Sequence, residues 1–75
     1  MSEEKKARLN ISVSEKTLNR LKKSTGIVKN QELMEQAILL LDWAVKERKE
    51  KHIVGSLDEK NQKYKEVVMP ALSHG

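Results

Sequence analysis

Arg8, Asn10 and Ser12 are the residues whose types and spacing suggest chemistry in this chain, and the chemistry is hydrogen bonding. They occupy every second position of "RLNISVS", with Leu9, Ile11 and Val13 between and after them. That alternation is the period of a strand with one wet face and one buried face. A guanidinium fork, a carboxamide and a hydroxyl then share the wet side, an array of donors and acceptors suited to recognition. Bond-breaking chemistry has far less to stand on. The serines fall in caps or loops with no histidine at a useful spacing, and no pair of carboxylates falls where a pocket could form. The three glycines, at 26, 55 and 75, are too scattered for a phosphate-cradling loop. His52 and His74 are too few and too far apart for a metal cage, and there is no cysteine to help them. The expectation is a protein without catalytic residues, metal or cofactor.

Size and charge limit what can hold that array in place. Seventy-five residues make one small domain, and such a domain usually needs disulfides, a metal or a second subunit. With the first two excluded, oligomerisation is left. The net charge is +4, and it is unevenly spread. Residues 1–30 carry eight Lys or Arg against three Glu, residues 31–51 four against five acids, and residues 52–75 three against three. The excess surrounds the alternating stretch, where it serves either a polyanion-binding surface or solubility. No apolar run reaches membrane-spanning length, and "MSEEKKAR" has no signal-peptide core behind it. A soluble, cytoplasmic protein of prokaryotic, phage or plasmid type is expected, with no membrane partner.

The elements follow from local pattern. Residues 1–7 read as a polar, basic N-terminal arm, and residues 8–13 as the lone strand. Ser14 is placed to cap a short helix, with Val13 and Leu18 at the spacing of a hydrophobic staple. That helix, "EKTLNRLKKS", offers only Leu18 and Leu21 to a core and ends at Thr25–Gly26. A long helix follows, on which Leu33, Met34, Ala37, Ile38, Leu41, Ala44 and Val45 recur at helical spacing. Leu39, Leu40 and Trp43 carry the apolar surface round to its other side, and helical propensity persists to about Lys51. Residues 52–70 read as a short hairpin or an extended tail stopped by Pro70, although "DEKNQKYKEVV" also fits a helical turn or two.

A lone strand and an over-apolar helix have one common solution, a second copy. Two strands pair antiparallel across a two-fold axis, and the helices bury their apolar faces together. Leu9, Ile11, Val13, Leu18, Leu21, Leu33, Met34, Ala37, Ile38 and Leu41 would form that dimer core. The paired strands present Arg8, Asn10 and Ser12 from each chain on a ribbon that fits the major groove of B-DNA. Arginine suits the guanine edge, asparagine the adenine edge, and serine several bases.

Strand, Ser-capped short helix, glycine turn and long helix, "RLNISVSEKTLNRLKKSTGIVKNQELMEQAILLL", resemble the ribbon-helix-helix (MetJ/Arc/CopG-like) DNA-binding proteins over Arg8 to Leu41. The resemblance implies a mainly α fold with one short strand, forming an intertwined homodimer around an intermolecular two-stranded ribbon over residues 8–51. It implies base reading by Arg8, Asn10 and Ser12, and a phosphate held where the second helix opens, at Val28, Lys29 and Asn30. Lys5 and Lys6 would add sequence-blind phosphate contacts from the arm. Two departures stand out: the first helix is about a turn shorter than usual, and Val28 replaces the customary Ser or Thr cap. Asn30 is expected to take over that cap.

The functional expectation is a sequence-specific regulator of transcription, a repressor binding repeated half-sites as a dimer or higher assembly. Alternatives built on the same dimer are an antitoxin and an accessory DNA-binding protein of plasmid or mobile-element transfer or partition. The antitoxin would hold a protein toxin through the extension, residues 52–75. Leu39, Leu40, Trp43 and Tyr64 are either packing residues, with the tail folded back on the helix, or the surface for that partner.

Overall fold

The computed structural model describes residues 5–73; part of the expected arm, and His74, lie outside them. Residues 5–14 lead in without regular secondary structure. The strand expected over 8–13 is therefore not formed in the single chain. A strand is defined by the backbone groups it bonds, and this chain offers that stretch no neighbour.

α1 (Glu15–Thr25) begins as its cap requires. The Ser14 hydroxyl accepts from the Thr17 amide at 3.3 Å, and the Leu18 amide reaches the Ser14 carbonyl at 2.9 Å. Gly26 ends it in the left-handed region at φ 77°. Thr25 strengthens the corner: its hydroxyl donates to the Leu21 carbonyl at 2.7 Å and accepts from the Ile27 amide at 3.2 Å.

α2 (Asn30–Lys49) starts from an extended Lys29, and no side chain caps it. Asn30 is thus the first helical residue and not the cap, because the chain turns into the helix one residue earlier than its amide would need. The far end closes by a Schellman motif: Lys51 enters the left-handed region at φ 65°, its amide bonds the Arg48 carbonyl at 2.9 Å, and the His52 amide bonds Glu47 at 2.9 Å.

Beyond it, β1 (Gly55–Asp58) and β2 (Lys63–Glu66) form an antiparallel hairpin. Leu57 stands opposite Tyr64 and Asp58 opposite Lys63, and the Val67 amide extends the pairing to the Val54 carbonyl at 2.8 Å. The hairpin reading of the tail thus holds, and the helical alternative does not. Pro70 opens α3 (Pro70–Ser73), a single turn not foreseen from a proline taken as a stop. Proline suits a first helical position, where no amide is needed. Leu72 of that turn is buried, and Arg48 of α2 holds the backbone there, its Nε donating to the Leu72 carbonyl at 3.4 Å and its Nη1 to the His52 carbonyl at 3.3 Å.

Together these elements bury very little. Among the described residues only Leu33, Ala44 and Leu72 are buried apolar side chains. The accessible surface is 7638 Å², against about 4,700 Å² for a compact chain of this mass. The radius of gyration is 15.4 Å, against about 11 Å for a compact domain of this length. No described helix is long and apolar enough to cross a membrane.

Candidate nucleic-acid interface

The apolar half of the alternating stretch defines the site first. Ile11 and Val13 meet Thr17, Leu18 and Leu21 of α1 and Leu33, Met34 and Ala37 of α2 around one open, almost wholly apolar groove. α1 is angled against α2 by the Gly26 turn, and the Ser14 cap fixes where the lead-in arrives, so the groove follows from two local signals. Of its walls only Leu33 is buried, and Leu18 and Met34 are half-buried. Ile11, Val13 and Leu21 remain open to water.

Seven residues of the expected dimer core therefore converge on one concave surface. Leu9, Ile38 and Leu41 do not line it and stay exposed. Exposed apolar groups at this density are costly, at roughly 25 cal/mol per Å² of surface left in water.

Arg8, Asn10 and Ser12 are exposed and take no part in the groove, and Lys5 and Lys6 are exposed on the same lead-in. Of this stretch, only Ile11 and Val13 line the groove, and the three polar residues stay outside it. Val28, 81% exposed, sits in the turn; Lys29 is the N-cap of α2, and Asn30 opens the helix. No side chain caps this end, so the first-turn amides of α2 have no side-chain partner, and Lys29 directly precedes them. Free amides, the helix dipole and a lysine suit an anion such as a phosphate.

The remaining predicted residues do not join this site. Leu39, Leu40 and Trp43 lie exposed on α2, and Tyr64 on β2 is exposed rather than folded back on them. Val68, expected with Tyr64 to pack back on the helix, is 82% exposed, and sequence reasoning missed two further apolar residues of the tail, Ile53 and Leu57, both more than half exposed. Leu57 was legible in principle: a turn at 59–62 places it opposite Tyr64 and on the same face. Among the described residues no group of three or more His, Asp or Glu gathers as a metal would need.

Compared with protein-family models, curated proteins and solved structures, the chain matches none.

Proposed function

We propose that two copies of this chain interlock as a ribbon-helix-helix dimer that binds double-stranded DNA in a sequence-specific way and represses transcription. The observation that carries the reading is the groove of Ile11, Val13, Leu18, Leu21, Leu33, Met34 and Ala37, open in the single chain while Arg8, Asn10 and Ser12 stay exposed outside it. A second copy laid across the groove supplies the missing neighbour for residues 8–13. Pairing turns the two lead-ins into a ribbon whose outer face carries the recognition groups twice, at the width a major groove accepts. The uncapped start of α2 then takes a backbone phosphate, fixing the register of the ribbon while the strand residues discriminate bases. The protein acts by occupancy and needs no catalytic group.

The test is a footprint of the purified dimer on its own promoter region, followed by the Arg8→Ala variant on the same site. Loss of about 1–3 kcal/mol of discrimination at one base pair in each half-site is the expected result. Equal affinity for operator and unrelated DNA in the native protein would sink the reading. A footprint at a transfer origin in place of a promoter would assign the same dimer to plasmid transfer.

A further inference from the structure

We infer that the hairpin arm, β1 and β2 with Val68 beyond them, docks on the second copy of this chain, covering Leu39, Leu40 and Trp43 of the partner helix. The inference rests on the dimer proposed above and extends it to a second interface.

The arm is uncovered in its own chain. All eight residues of β1 and β2 are exposed, and the strands pack on each other, while α2 packs on α3. An isolated two-stranded hairpin is marginal in water, so one that forms stably has a third surface to lie on. Its register gives it one suitable face: Leu57 and Tyr64 are directly paired, so they point the same way, 63% and 51% exposed. Val68 follows at 82% exposed.

α2 has a matching vacancy. Leu39 and Trp43 are one helical turn apart, with Leu40 beside them, and all three are at least half exposed. None of the three lines the groove that the ribbon would close, although Leu40 continues the helix face of Leu33 and Ala37 beyond its end. In the single chain the arm leaves all three open, although Arg48 holds both of its ends beside α2 through the His52 and Leu72 carbonyls.

Surface area selects the occupant. A compact dimer of this mass keeps about 3,900 Å² per chain accessible. The single chain exposes 7638 Å², so doubling must remove roughly 3,700 Å² from each copy. Even obligate interfaces commonly take about 1,000–2,500 Å² per chain. The ribbon groove alone therefore leaves surface uncovered, and the arm and the Leu39, Leu40 and Trp43 stripe are prominent among the exposed apolar groups outside that groove. Exchange of identical arms between two copies covers both at once, in a closed arrangement.

The test uses the full chain, which has no cysteine and a single tryptophan, Trp43. One preparation carries Leu39→Cys and another, differently tagged, carries Leu57→Cys; the two are mixed, re-equilibrated and mildly oxidised. A disulfide joining the two tags, with Trp43 emission blue-shifted and its acrylamide quenching reduced several-fold on dimerisation, is expected. Cross-linking only within a chain carrying both substitutions would overturn arm exchange in favour of folding back. A dimer that forms no such cross-link and leaves Trp43 freely quenched would overturn it too, leaving the ribbon dimer intact and the stripe open to a different protein. A chain monomeric at every concentration would overturn both interfaces.

Discussion

The ring of Tyr64 lies over Gly55, so close that a Cβ on the glycine would stand 2.8 Å from the phenol oxygen and would collide with the carbonyl oxygen of Lys65. The phenol could swing aside, but the carbonyl belongs to the hairpin ladder. Gly55→Ala should therefore open the hairpin at its base, at a cost of about 1–3 kcal/mol to that element. Amide exchange at Val67, whose N–H bonds Val54 across the same base, should accelerate, while the Leu18 and Leu33 amides of α1 and α2 keep their protection. Unchanged exchange at Val67 would mean that the backbone yields there.

The turn of the same hairpin should respond to pH. The Asn61 side chain donates to one Asp58 carboxylate oxygen at 2.9 Å, and the Asn61 amide to the other at 3.3 Å. These bonds, the side-chain one first and then the backbone amides of Asn61 and Lys60, hold the Asp58 carboxyl below the usual carboxylate range. A carboxylate lowered by folding stabilises the fold above its ordinary pKa, and that contribution is lost as pH falls through the lowered value. The hairpin turn should hence loosen only in acid. Asn61→Ala should move the Asp58 titration, followed by carboxyl-carbon NMR, upward toward the ordinary value, and a titration that stays put would remove Asn61 as the cause.

What was legible in the sequence was what local chemistry decides. Ser14 and Gly26 act through neighbours within four residues, so cap and turn could be read directly. The start of α2 was misplaced because Asn30 is a good cap by type, whereas the backbone bends at Lys29. The Schellman end was invisible because Lys51 holds a position where glycine is the usual sign. Pro70 is ambiguous by nature, since the ring that ends one helix also suits the first turn of the next. The alternating stretch reads as a strand over 8–13 and forms none in the single chain, because a period of two marks faces and not the backbone bonds that a strand needs.

Two left-handed residues offer opposite substitutions. Gly26, at φ 77°, has open space around its Cα, so Gly26→Ala meets only the conformational penalty, about 1 kcal/mol or slightly more. Lys51, at φ 65°, already bears that penalty. Lys51→Gly should stabilise the chain by about the same amount, less the small dipole benefit of a lysine near a helix C-terminus. Urea denaturation of both variants measures the pair. Destabilisation by Lys51→Gly would show that the lysine side chain contributes more than its backbone costs.

Neighbouring residues on the alternating stretch should behave in opposite ways. Ile11 lines the groove, so Ile11→Asp forces a carboxylate into the proposed interface at a cost of several kcal/mol. Ser12 lies outside the groove, and Ser12→Asp should leave assembly alone while placing a negative charge against DNA. Sedimentation equilibrium should give a monomer for the first variant and a dimer for the second. A dimer in both cases would detach these residues from the subunit interface.

Lys29 separates holding from reading. It holds the N-cap position of α2 without capping it, next to first-turn amides that no side chain bonds, and it is assigned no base edge. Lys29→Ala should weaken operator and unrelated DNA by the same factor. The slope of log affinity against log salt should flatten by about one unit per subunit, or roughly two for the dimer, as one fewer counterion is displaced at each site. Arg8→Ala should instead lose discrimination at a defined base pair. If Lys29→Ala altered sequence preference and left the salt slope alone, the lysine would be reading bases, and the phosphate would have to be held elsewhere.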